Sequence, residues 1–240
     1  MHSERSSILH RVLGDGTDEL ETKRLCRACV EIIGVTGAGI MLMSGDVPRG
    51  SLCTTNEISQ AIEELQYTLG EGPCVDAYNL DTPIVESDLA NPSTPRWVAF
   101  TPPAVEIGVR GIFGFPLQIG AVRLGALNLY CDQPGPLTDE QHAQAVVMAG
   151  VAAQAVLILQ AGAPPGALAA ELDASADFQL VVHQASGMVA AQLNVSVAHA
   201  LIRLRAHAFG NSRTLTEVAR AVVEKELRLD ATNGEKDPLP

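Results

Sequence analysis

The sequence predicts an α+β chain in two parts: hairpin strands interleaved with helices over residues 1–161, then an all-α three-helix module over residues 169–230. Three observations carry this. Short apolar runs occur in two pairs, each joined at a turn containing Gly or Pro, which is the pattern of a β-hairpin. The segment "GAPPGA", residues 162–167, interrupts the helical pattern, so that 162–168 reads as a linker. Beyond it only helical periodicity remains, and residues 231–240, ending in "NGEKDPLP", read as a frayed tail.

Taken in order, "SERSSILHRVL" reads as a short helix. "TDELETKRLCRACVEIIG" follows as an amphipathic helix, with Leu20, Leu25, Cys29 and Ile32 at helical spacing and Thr17 or Asp18 as its cap. "GAGIMLMSGD" and "RGSLCTTN" form the first hairpin, turning at "GDVPRG". "EISQAIEELQYTL" is helical, with Ile58, Ile62 and Leu65 as its inward positions, and stops at the glycine of "LGEGP". "TPIVESDL" is a third strand, and "RWVAFTPPAVEIG" holds a short helix that its two prolines interrupt or start. "RGIFGFPLQIG" and "VRLGALNLYCD" make the second hairpin about Gly120. "LTDEQHAQAVVMAGVAAQAVLILQ" is a long helix capped by Thr138 or Asp139. The module then places helices near 170–193, 196–209 and 212–227, capped by Ser196 and Ser212 and stopped by Asn194 and by Gly210 with Asn211.

The net charge of −12 argues against whole-surface attraction to nucleic acid, but it is distributed unevenly. Residues 1–168 carry net −10, whereas 169–230 carry −1. Five cysteines without a secretory pattern suit a reducing, cytoplasmic setting. Cys26 and Cys29 stand alone as a C-x-x-C pair with no second pair at zinc spacing, so they read as packing residues, and no metal or cofactor is expected. Residues 141–170 lack Asp, Glu, Lys and Arg, yet Gln144, Gln154 and Gln160 dilute the run and no basic flank or aromatic belt accompanies it; no membrane span is expected. A helix apolar nearly all round must be buried in its own domain or against another copy, and a homodimer seam over 143–159 is the economical reading.

From Phe178 to Thr216 the chain has no Asp or Glu, but three Arg and three His. Binding a polyanion requires positive potential that neighbouring carboxylates would cancel, so such a clearing suits phosphate contact. On the second helix Val197, Leu201, Leu204 and Ala208 form the core face. His199, Arg203 and His207 form a stripe opposite, with Arg205 at the flank. Ordinary solvated positions on a small bundle are the plain alternative. Ala185, Ser186 and Gly187 lie together inside a helix, where Gly costs about 1 kcal/mol against Ala. A close helix crossing or the close approach of a nucleic acid would each account for it.

The run "HQASGMVAAQLNVSVAHALIRLRAHAFGNSRTLTEVARAVV" resembles the ANTAR domain, an RNA-binding antitermination module of bacterial regulators. The resemblance lies in Ala185 to Met188, in Val195 and Ser196, in Ala200, Leu204, Arg205 and Ala208, and in Leu215, Val218 and Ala219. Where many members carry Lys or Arg, this chain has Ser186. Residues 15–160 resemble a GAF domain of the type fused to ANTAR in actinobacterial regulators, through "LGEGPCVDAY", "FPLQIGAVRLGALNLY" and "LTDEQ". That resemblance implies a central antiparallel sheet flanked by helices, with a pocket able to hold a small ligand; Cys53 and Cys74 are possible pocket residues, though packing fits them better.

The two resemblances imply a non-enzymatic, cytoplasmic, dimeric regulator that binds stem-loops in nascent leader RNA. Arg203, Arg205 and Arg213 are then the phosphate contacts, and Ser186, Gly187, Asn211 and Thr214 the close-approach or hydrogen-bonding positions, since RNA sequence is read mainly in unpaired loops. The rival reading is a GAF-fold enzyme reducing free methionine sulfoxide with Cys74 as nucleophile. No basic residue lies within a dozen positions of Cys74 to lower its pKa. A sensor whose output is protein binding is a third reading.

Overall fold

The structure, a computed structural model, describes residues 20–44, 47–162, 177–211 and 213–229. The expected helix "SERSSILHRVL", the caps Thr17, Asp18 and Ser212, most of the 162–168 linker and the 231–240 tail lie outside the described residues. The chain divides into two units, Met1–Leu172 and Asp173–Pro240.

In the first unit the elements run α1 (Leu20–Ile33), β1 (Gly37–Ser44), β2 (Val47–Thr54), α2 (Glu57–Leu69), α3 (Pro73–Leu80), β3 (Ile84–Glu86), α4 (Thr101–Glu106), β4 (Gly111–Ile119), β5 (Val122–Cys131) and α5 (Asp139–Gly162). The strands form one antiparallel sheet in the order β2-β1-β5-β4-β3, so the two hairpins are joined edge to edge through β1 and β5. The apolar hairpin residues place Leu117, Leu124, Leu127 and Leu129 in the core, with Ile40, Leu42, Phe113 and Phe115 beside them. One face of the sheet meets α1 and α5, where Leu25, Cys29 and Ile33 join Ala145, Met148, Ala149, Ala152 and Val156 in a single core. The other face is covered by α2 and α3. Helix α5 opens with a reciprocal cap: Thr138 Oγ1 accepts from the Gln141 amide at 3.2 Å, and the Thr138 amide donates to Gln141 Oε1 at 3.0 Å.

Helix α5 is, by length and composition, apolar enough to cross a bilayer, one such helix among the described residues. Its burial explains the composition differently. The inward positions fill the core just named, and what remains outward is a strip through Ala143, Val146, Gln154 and Ile158. The apolar character expected to form a seam between copies is therefore spent mostly inside the unit.

Several sequence expectations need correction. Helix α3 is absent from the sequence reading, because "LGEGP" reads as a stop; Pro73 instead occupies its first turn, where the missing N–H is no loss. The buried face of α2 is Ser59, Ile62, Glu63, Gln66 and Tyr67; of the expected Ile58, Ile62 and Leu65 only Ile62 is fully buried. The third strand shrinks to three residues. At this edge Arg96 Nη2 donates to the Val85 carbonyl at 3.1 Å and lies 3.5 Å from Glu86 Oε2, while its guanidinium stacks on Trp97. Cys26 is not a simple packing residue: it is disulfide-bonded to Cys53, Cα–Cα 6.1 Å, tying α1 to β2 across 27 positions.

The second unit contains α6 (Asp177–Leu193), α7 (Val197–Gly210) and α8 (Leu215–Val223). Asn194, at φ 53°, ends α6, and Ser196 caps α7 by accepting from the His199 amide at 3.2 Å. The third helix is shorter than expected and its cap is Thr214. Thr214 Oγ1 accepts from the Glu217 amide, and the Glu217 carboxylate accepts from the Thr214 amide at 2.8 Å. Val182, Ala185, Val189, Leu201, Leu204, Leu215, Val218 and Val222 are buried and make the small core.

Candidate functional site

Two places stand out, one in each unit. In the first unit the α2–α3 face of the sheet carries a row in which Asn128 of β5 pairs with Gly39 of β1 on one side and Gly114 of β4 on the other. Both glycines make room. A Cβ at Gly39 would lie 2.5 Å from Glu63 Oε1, and one at Gly114 would strike the Pro73 carbonyl at the start of α3. The helices thus approach the sheet through the gaps beside Asn128, and polar side chains enter with them.

Those side chains are Glu63, Gln66 and Asn128, all buried, with Glu63 only 2% exposed. Asn128 Nδ2 donates to Glu63 Oε1 at 2.9 Å, and the Cys74 amide donates to Gln66 Oε1 at 2.7 Å. Glu63 Oε2, Gln66 Nε2 and Asn128 Oδ1 are buried without a hydrogen-bond partner. Burial pushes the Glu63 carboxyl from 4.5 up to about 8, against the smaller lowering from Asn128, so the group is neutral at pH 7. Polar atoms left unmatched in a core cost stability, so this cluster is the candidate place for a bound water or ligand. No periodicity points here, because Glu63 and Gln66 in a helical stretch read as solvent-facing.

Cys74 sits in this nest, fully buried, its Sγ 3.9 Å from the Ala126 carbonyl. Burial, with the nearby Glu63 adding to it, holds the thiol well above its ordinary value. A nucleophilic cysteine needs access and a lowered pKa, and Cys74 has neither. Cys53 is in the disulfide, and the Cys29 thiol is pushed up to about 12 by burial. Among the described residues no cluster of three or more His, Cys, Asp or Glu could hold a metal ion.

In the second unit the residues expected to meet RNA divide sharply. Ser186 is 2% exposed and its hydroxyl donates to the Val182 carbonyl at 2.7 Å; it is an internal, satisfied group and offers nothing to a partner. Gly187, one position on, is exposed, and a Cβ there would meet nothing within 4 Å, so a close helix crossing does not explain it. Arg203 is exposed and makes no hydrogen bond or ion pair among the described residues. Arg205 is half-buried. Arg213 is exposed, with Nη2 donating to the Glu217 carbonyl at 3.2 Å. Asn211 gives its Nδ2 to the His207 carbonyl at 2.7 Å, and Thr214 is engaged in its cap. The expected core face of α7 needs one change: Val197 is 54% exposed and Ala200 takes its place inside.

A five-stranded antiparallel sheet with a helical pair on one face and short helices over a polar nest on the other defines an α+β domain of a single sheet covered on both faces. Residues 22–157 match the GAF domain family, and the chain belongs to that family. No curated protein matches the chain. Among solved structures, free methionine-R-sulfoxide reductase from Neisseria meningitidis, in complex with its substrate, is similar at 15% identity and TM-score 0.50, over 67% of this chain and 91% of that one. The GAF domain of a phosphoenolpyruvate-protein phosphotransferase from Coxiella burnetii is similar at 16% identity and TM-score 0.49, over 65% and 95%. Type II free methionine-R-sulfoxide reductase from Thermoplasma acidophilum follows at 17% and 0.47, over 59% and 93%. At such identities the likeness concerns the fold.

Proposed function

We propose that the chain is a cytoplasmic transcription antitermination regulator whose carboxyl-terminal module binds stem-loops in nascent leader RNA, with the GAF domain as small-molecule sensor and dimerisation platform. The observation that carries the RNA reading is Arg203, an exposed guanidinium without an internal partner among the described residues, in a 39-residue stretch devoid of carboxylates. Uncompensated positive charge of this kind is what phosphate contact needs. Gly187 adds a bare helix surface at which a backbone can come close. For the sensor, support comes from the unmatched Glu63, Gln66 and Asn128 atoms, which present a carboxylic acid O–H, one amide donor and one amide acceptor to a small polar ligand. The outward strip of α5, without a charged residue, supports pairing with a second copy. We assign the chain no catalytic step, since Cys74 lacks the exposure and lowered pKa of a nucleophile.

The test is a titration of the full chain against an RNA hairpin library at several salt concentrations. Arg203→Ala should weaken hairpin binding and lower the slope of log affinity against log salt by about one, while the thermal melt stays put. Binding indifferent to both salt and Arg203 refutes the reading.

A further inference from the structure

We propose that the outward face of α7 is a stacking platform for an unpaired RNA base, with Phe209 as the ring that receives it. This rests on the RNA-binding reading above and names where a loop base is held. Ala198, Ile202, Ala206 and Phe209 recur at helical spacing on the side opposite Ala200, Leu204 and Ala208. All four are exposed, Ile202 at 57% and Phe209 at 69%. No ring or cation contact covers Phe209 among the described residues. A Cβ at the adjacent Gly210 would meet nothing within 4 Å, so the approach to the ring is open.

The border of this strip selects its occupant. By helical position His199 and Arg203 run along one side, and no Asp or Glu lies between Phe178 and Thr216. A nucleobase offers a π-face to an aromatic ring whatever its sequence, while the attached phosphate is drawn to a guanidinium beside it. A protein partner fits less well: one Phe, one Ile and two Ala fall far short of the roughly 800 Å² that each side of a stable protein interface buries. RNA needs no such area, because stacking and phosphate contact concentrate the binding on a few groups.

The experiment uses the full chain and two probes sharing one stem: hairpins with a randomised loop of about six nucleotides, a single-stranded target of the kind RNA readers take, and the blunt duplex without a loop. Clones recovered from the pool are resynthesised with 2-aminopurine in the loop. Phe209→Ala should weaken hairpin binding about tenfold, Phe209→Trp should restore it, and the loopless duplex should bind all three proteins alike. The quenching of 2-aminopurine on binding should disappear in Phe209→Ala. Hairpin binding unchanged in Phe209→Ala but weakened in Arg203→Ala would overturn the platform and leave the RNA reading standing. Failure of the wild type to bind any hairpin at low salt would overturn both. Loss of dimer in Phe209→Ala by sedimentation, with hairpin affinity intact, would also overturn the platform and assign the face to a second copy.

Discussion

Glu63→Gln removes a titrating group from the polar nest without changing its shape. The carboxyl is pushed up to about 8 in the folded chain against 4.5 when solvated. Between those values the folded chain holds a proton that the unfolded chain has released. The stability this group contributes is therefore fully present below about pH 4.5 and falls by about 1.4 kcal/mol per pH unit as pH rises towards 8. The accumulated penalty is about 1 kcal/mol at about pH 5.5 and about 3 kcal/mol at pH 7, levelling off near pH 8. The glutamine variant carries no such penalty. Its side-chain carbonyl can still accept from Asn128 Nδ2, and its amide takes the place of the O–H that the protonated carboxyl offers. The assay is denaturant unfolding of both proteins across this pH range, followed by the single tryptophan, Trp97, whose indole N–H donates to Asp76 on α3 at 2.8 Å. Glu63→Gln should be the more stable protein at neutral pH, by an amount that grows with pH and vanishes towards pH 4. A difference constant with pH would refute the neutral buried acid, as would a glutamine variant destabilised most at pH 8.

Further outcomes follow from single features. Titrating thiols in denaturant without reductant should find three, Cys29, Cys74 and Cys131, and five after reduction; five at the outset would remove the Cys26–Cys53 bond. Gly114→Ala should cost about 1–3 kcal/mol or more in unfolding free energy, because the new methyl meets the Pro73 carbonyl rather than a side chain that can turn away. Gly187→Ala should do the opposite, raising the stability of the second unit by about 1 kcal/mol in a helix with open space around it, while weakening hairpin affinity if the bare surface serves a backbone.

The hairpins are legible in the sequence because their apolar runs end at turn residues a short distance apart, and β4 and β5 fall within a residue or two of the reading. The carboxyl-terminal helices are legible through Asn194, Ser196 and Gly210. Local signals fail wherever the structure depends on what lies across space. Glu63 turns inward because Gly39, distant in sequence, leaves a gap for it, and Gln66 lies in the room left by Gly72; no helical period records either. The Cys26–Cys53 bond depends on α1 packing beside β2, which their spacing does not announce. Ser186 has the composition of a contact residue, but the helix lets its hydroxyl reach the Val182 carbonyl four positions back. Arg203 and Gly187 stay on the surface, where their composition places them.

Strand β3 is three residues long, and Arg96 takes one of its carbonyls. An extended segment from another molecule would find few hydrogen-bonding groups to pair with on that margin and a cation already seated there. Strand addition is therefore disfavoured at this border of the sheet.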